Sequence, residues 1–174
     1  IAAFNKFYYM NSSNKRIKKV KLSEYFYPLD KINNWNRLYG SRGFVQYQFV
    51  IPNNDVVKNL SKILNKISEL DLSSFLSVLK KFGKQNNNLL SFPMSGFTLA
   101  LDFKMNDKLF EKINKLDNMV ADMGGRIYLT KDSLMSEMTF KNTYNKWEEF
   151  ESVREKYGAF SKFCSNQSKR LGLR

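Results

Sequence analysis

Histidine is absent from the 174 residues, and cysteine occurs once, as Cys164. Zinc and copper sites draw mostly on several imidazoles and thiolates, so nearly every such site is ruled out within these residues, and neither a Ser-His-Asp nor a Cys-His relay can exist within them. A lone thiol makes no internal disulfide. Three prolines and eight glycines are too few for a collagen-like or low-complexity chain, and 43% hydrophobic with 15% aromatic residues is not the composition of a disordered one. No apolar run approaches the ~18 residues that span a bilayer. The opening IAAFNKFYYM has neither an initiator Met nor a signal-peptide layout, and is expected to be cut from something longer.

Acids are scarce as well. Sixteen Asp and Glu face 29 Lys and Arg, a net charge of +13 with a pI near 9.7, which favours anionic partners such as nucleic acid, lipid headgroups or a phosphorylated substrate. Six of the bases, Lys6, Lys15, Arg16, Lys18, Lys19 and Lys21, precede the first acid, Glu24. The length suits one compact domain that buries roughly 70% of its unfolded surface.

Residues 1–22 read as an entering strand or arm, then a basic loop at the NSSNKR turn signal, and 25–40 as a loop with a short helix. From Gly43 the pattern sharpens. GFVQYQFVIP alternates, with Val45, Tyr47, Phe49 and Ile51 on one face and Phe44, Gln46, Gln48 and Val50 on the other. Asn54 or Asp55 is placed to cap a helix reaching about Glu69, with Val56, Val57, Leu60, Ile63, Leu64 and Ile67 inward. SFLSVLKKFG, 74–83, reads as a strand with Phe75, Ser77 and Leu79 opposite Leu76, Val78 and Lys80. GFTLALDF, 96–103, sets Phe97, Leu99, Leu101 and Phe103 against Thr98, Ala100 and Asp102. A second helix begins near Asn106, turns Leu109, Phe110, Ile113, Leu116, Val120 and Met123 inward, and stops at Gly124-Gly125; RIYLT, 126–130, follows as a strand. Then come a helix docked through Tyr144, Trp147, Val153 and Tyr157, and a basic irregular tail.

The order strand, helix, strand, strand, helix, strand is the split β-α-β arrangement of an α+β, ferredoxin-like domain: a four-stranded antiparallel sheet with both helices on one face, plus the C-terminal helix and tail. The open face then shows Gln46, Gln48, Leu76, Val78, Lys80, Thr98 and Ala100. Amides that donate and accept, an ammonium and a hydroxyl among small apolar groups suit a polar heterocycle or a sugar. RNA-recognition domains of this topology stack bases on central-strand aromatics; Gln, Thr and Ala stand there instead, so no nucleic acid is expected.

The blocks FYPLDKINNWNRLYGSRGFVQYQFVIP, FLSVLKKFG, LLSFPMSGFTLALDF, GGRIYLTKDS and FCSNQSKRLGL, in that order, resemble the C-terminal part of flavin-dependent oxidases of the vanillyl-alcohol-oxidase superfamily, which includes the more distant aldonolactone oxidases. The resemblance implies a substrate or cap domain over the isoalloxazine of an FAD that a separate N-terminal domain mainly holds, in agreement with the lack of a glycine-rich phosphate loop. The expected division is an arm and loop over 1–42, the cap core over 43–131, and C-terminal helices with a basic tail over 132–174. Alone, the chain is expected to be inactive.

Carried over to this sequence, the family pattern makes Gln46, Gln48, Leu76, Val78, Lys80, Thr98, Ala100 and Phe26 substrate-facing, and Tyr128 and Lys131 flavin-facing. Some members have Asn and Cys where Thr98 and Ala100 stand, and Tyr at Phe26. The implied reaction is hydride transfer from a sugar carbinol carbon, such as that of a polyprenyl-phosphate-linked pentose, to flavin N5, with Lys80 assisting proton loss and Gln48 and Lys80 holding the oxyanion. Implied partners are the FAD domain, the sugar or lipid-linked sugar, and a short-chain reductase completing an epimerisation, in the cytoplasm or peripherally at the cytoplasmic membrane. The alternative from the residues alone is a non-catalytic basic module binding nucleic acid or an anionic membrane surface.

Overall fold

The alternating segments pair into one antiparallel sheet. A computed structural model describes residues 2–11, 17, 19–27, 29–160 and 162–174; apart from Asn11, the NSSNKR turn lies outside them. Strands β1 (Phe44–Pro52), β2 (Ser74–Phe82), β3 (Gly96–Lys104) and β4 (Arg126–Ile127) take the order β2-β3-β1-β4. With helices α3 (Val56–Glu69) and α4 (Leu109–Asp122) between them, this is the ferredoxin-like topology expected from the pattern. Helices α1 (Ala2–Asn11) and α2 (Leu22–Phe26) precede the sheet; α5 (Glu137–Thr143), α6 (Trp147–Lys156) and α7 (Asn166–Arg170) follow it.

The core lies between α3, α4 and the packed face of the sheet. Ile63 and Ile67 of α3 and Leu109, Ile113, Leu116 and Val120 of α4 meet Tyr47, Phe49, Ile51, Leu99, Leu101 and Phe103. Each fully buried apolar side chain contributes about 1.5–3 kcal/mol. α4 ends where Gly124 turns left-handed at φ 73°, a conformation that a Cβ disfavours.

Several local expectations are corrected. Ala2–Asn11 is helical, not an entering strand. Asp55 precedes α3 in a left-handed conformation with no capping side-chain bond, and Val57, Leu64 and Phe110 point to solvent, because the inward stripe is narrower than the apolar spacing suggests. α4 starts at Leu109 rather than Asn106. RIYLT pairs through Arg126 and Ile127 alone; Leu129–Lys131 is a 3-10 turn. The single C-terminal helix is two, with buried Tyr144 ending α5 while Val153 and Tyr157 of the second stretch are exposed. The tail is not irregular: Ser165 and Ser168 form a reciprocal capping box that starts α7.

Candidate active site

Cross-strand partners share a face, so the register builds the open side of the sheet row by row. Val78, Ala100 and Gln48 form one row across β2, β3 and β1; Lys80, Thr98 and Val50 form the next. Strands lie about 4.8 Å apart, so Gln48 stands about 10 Å from β2. Near Ser74 the register slips by one residue. The Ser74 hydroxyl patches that bulge, donating to the Leu76 carbonyl and accepting from the Asp102 amide at 2.9 Å. Phe75 thereby leaves the face of Ser77 and Leu79, where strict alternation puts it, and meets the Tyr39 ring edge-on at 5.5 Å.

Over β2 lies a half-open cavity of about 690 Å³, lined by Tyr25, Phe26, Trp35, Leu76, Val78 and Lys80, with Asp30 at its wall. That volume accommodates a ligand the size of a sugar with part of its substituent. Phe26, Leu76, Val78 and Lys80, drawn from two distant stretches of sequence, meet here. Lys80 is exposed and, among the described residues, has no ion-pair or hydrogen-bond partner, so its charge is available to a ligand.

The neighbouring polar groups are tied to one another. Thr98, fully buried, donates its hydroxyl to the Phe49 carbonyl at 2.8 Å and therefore accepts from Gln48 Nε2 at 2.9 Å. This fixes the orientation of the Gln48 amide: one N–H is spent on Thr98, and its carbonyl oxygen is left to accept. Gln46 Nε2 donates to Asp102 Oδ1 and Tyr39 Oη to Oδ2, each at 3.0 Å. Burial, with the Asp102 charge and hydrogen bond adding to it, pushes the Tyr39 phenol well above its ordinary value. Thr98 and Ala100 are both buried, and the Thr98 hydroxyl is committed to the protein.

Phe92, itself buried, links the two edges of the sheet. It stacks on Tyr128, centroids 4.5 Å apart, and meets Phe82 edge-on at 5.8 Å, so the loop between β2 and β3 reaches across one end of the open face to the opposite edge. Tyr128 is anchored by its amide, which donates to the Gln48 carbonyl at 2.8 Å. Arg126 donates to the Ser91 carbonyl at 2.7 Å, while its Nε and the Ser91 hydroxyl are buried without a partner among the described residues. Lys131 lies away from the cavity, beside Gln46, Tyr47 and Asp117, along the part of β1 that β4 leaves unpaired. A buried acid-phenol pair sits there, Tyr47 Oη donating to Asp117 Oδ1 at 2.9 Å.

Sequence reasoning did not single out Asp102, Tyr39 or Trp35. Asp102 left a signal, a lone carboxylate on the Thr98 face of an otherwise apolar strand; Trp35 and Tyr39 sit in an aperiodic segment and left none.

A ferredoxin-like sheet with one face packed, and the other carrying a cavity, a free lysine and two hydrogen-bonded amides, defines an α+β domain with a candidate small-ligand site. In sequence the chain is similar to the C-terminal part of one curated oxidase: it is 37% identical over 166 residues, 95% of its length, to decaprenylphosphoryl-β-D-ribose oxidase of Mycolicibacterium smegmatis, of which it covers 36%. An uncharacterised protein from the mprA 5′ region of Streptomyces coelicolor is 27% identical over 148 residues, matching 83% of this chain and 40% of that protein. The chain therefore spans about two fifths or less of the length of these relatives. No established family profile matches it. Among the described residues no helix is long and apolar enough to cross a membrane.

The motifs imply a flavin, and the residues carried over for its ring are Tyr128 and Lys131. Tyr128 offers a ring fixed by Phe92, and Lys131 an ammonium without an ion-pair partner among the described residues. The sequence offers no glycine-rich turn for its pyrophosphate.

Proposed function

We propose that this chain is the substrate-binding cap of an FAD-dependent oxidase that oxidises a sugar hydroxyl, a polyprenyl-phosphate-linked pentose being the substrate class, with the FAD held mainly by an N-terminal domain outside these residues. The observation that carries the reading is the unpaired Lys80 in the 690 Å³ cavity, in a chain whose relative is named as a ribose oxidase.

The chain's residues supply binding and proton handling. Leu76, Val78 and the rings of Phe26 and Trp35 offer apolar walls for a sugar face and exclude water. Lys80, whose exposed ammonium is open to solvent, stabilises the oxygen that gains negative charge as the hydroxyl proton passes to water. Gln48, with one N–H held by Thr98, uses its carbonyl oxygen and remaining N–H to orient the sugar hydroxyls. Lys131 and Tyr128 would hold the flavin ring, the ammonium offsetting charge on it. When bound, FAD supplies the hydride acceptor. A short-chain reductase consuming the keto product belongs to the same proposal.

The test compares the visible spectrum and sugar-dependent turnover of this chain joined to its FAD domain with those of the chain alone. A flavin spectrum and turnover confined to the longer form are expected. No flavin in either form would overturn the reading.

A further inference from the structure

The described residues hold twenty exposed large apolar side chains, and eleven lie between Phe7 and Leu38. A monomer that exposes single apolar residues needs no explanation; so many within one short stretch mark an interaction surface. The same part of the chain is its most basic. Residues 1–42 contain nine Lys and Arg against two acids, so they carry seven of the thirteen net positive charges. The two features interleave: Lys19, Val20, Lys21 and Leu22 are consecutive and all exposed, followed by Tyr25, Phe26 and Tyr27. Phe7 and Met10 of α1 are exposed as well.

The chemistry of the partner follows from that mixture. Nucleic acid would use the lysines but leave Val20, Leu22 and Met10 without a function. Protein interfaces are depleted in lysine at their centres, whereas here lysines alternate with the apolar groups. Lysines whose stems lie along apolar surface, with aromatic rings carrying a polar edge, are what the headgroup layer of an anionic bilayer accepts. We propose that the surface centred on Lys19–Tyr27 docks on an anionic lipid bilayer, with the mouth of the Lys80 cavity turned to the headgroups. The orientation comes from Tyr25, Phe26 and Tyr27, which are exposed and also line that cavity. A lipid-linked sugar could then enter from the membrane without crossing water. This last consequence rests on the oxidase reading; the docking itself does not.

The experiment is co-sedimentation of the 174-residue chain with phosphatidylcholine vesicles, with and without about one third phosphatidylglycerol, at low salt and at about 0.5 M salt. Expected is binding at least about ten-fold tighter to the anionic vesicles, weakened by salt. The double variant Lys19→Glu/Lys21→Glu should lose about ten-fold or more. Leu22→Ser/Tyr25→Ser should lose about five-fold or more even at low salt, because it removes insertion rather than charge. All four side chains are exposed, so an unchanged thermal midpoint certifies the variants as folded. Equal binding to both vesicle types, or vesicle binding indifferent to the double variants, overturns the proposal. Tighter binding to duplex RNA or DNA than to the vesicles, unaffected by Leu22→Ser/Tyr25→Ser, overturns it in favour of nucleic acid. Vesicle binding lost when the FAD domain is attached overturns it in favour of an intramolecular interface. No readout here needs turnover, so the docking and the oxidase reading can fail separately.

Discussion

Asp117 is a carboxylate held among apolar neighbours in α4, and burial, with the Asp132 charge adding to it, raises it to about 7 against the pull of the Tyr47 hydrogen bond and of Arg170. The folded chain therefore binds this proton more tightly than the unfolded chain does. Stability should fall as pH rises from about 4 to about 7 and level off above, by on the order of a few kcal/mol. Denaturant unfolding at several pH values measures the slope, and Asp117→Asn, which can still accept from Tyr47, should flatten it. Thr98 shows the same logic for a neutral group. Thr98→Val keeps the shape but takes the acceptor from Gln48 and should cost about 1–2 kcal/mol in the same assay. In a flavin-loaded enzyme it should also raise KM more than it lowers kcat, since Gln48 loses its fixed orientation. That Thr98 faces the side of Gln48 was legible from alternation. Its burial was not, because alternation gives the face a side chain takes and not what lies over that face.

β1 and β3 were legible from end to end because each buries a bulky alternate row, and strict alternation survives wherever the ladder is unbroken. Their register has a steric lock at Gly96, where a Cβ would run into the Ile51 carbonyl. Gly96→Ala should destabilise the fold by about 2–3 kcal/mol, seen as a lowered unfolding midpoint with unchanged denaturant dependence. β2 was legible in position but not in full phase, because a bulge is closed by one serine hydroxyl and leaves no mark on hydrophobic spacing. β4 was over-extended for a related reason: RIYLT has strand-like composition, yet after Ile127 the chain turns so that Gln167 can donate to the Leu129 carbonyl at 2.6 Å and Arg170 can pair with Asp132 at 2.8 Å. Those partners lie about forty residues away, beyond the reach of local pattern. α5 has a clear cap, Ser136 accepting from the Thr139 amide at 3.1 Å, and Ser136→Ala should cost about 1 kcal/mol.

For the 174 residues, the absence of histidine and the single cysteine exclude His- and Cys-based metal sites and His-based triads on composition alone, and the periodicity is enough to define the ferredoxin-like class. What composition leaves open is which side of the sheet works. The register puts Val78 and Lys80 on one face, and Tyr25, Phe26 and Trp35, from a stretch that has no pattern to read, supply the other wall of the cavity there. The central claim is that Lys80 acts there on substrate. The most direct test is Lys80→Ala, with Lys80→Arg beside it, in the protein joined to its FAD domain, following flavin absorbance and steady-state turnover together. The expected result is unchanged flavin content, turnover reduced by about 10²-fold or more in Lys80→Ala, and partial recovery in Lys80→Arg. Full turnover in Lys80→Ala at unchanged flavin content would contradict it.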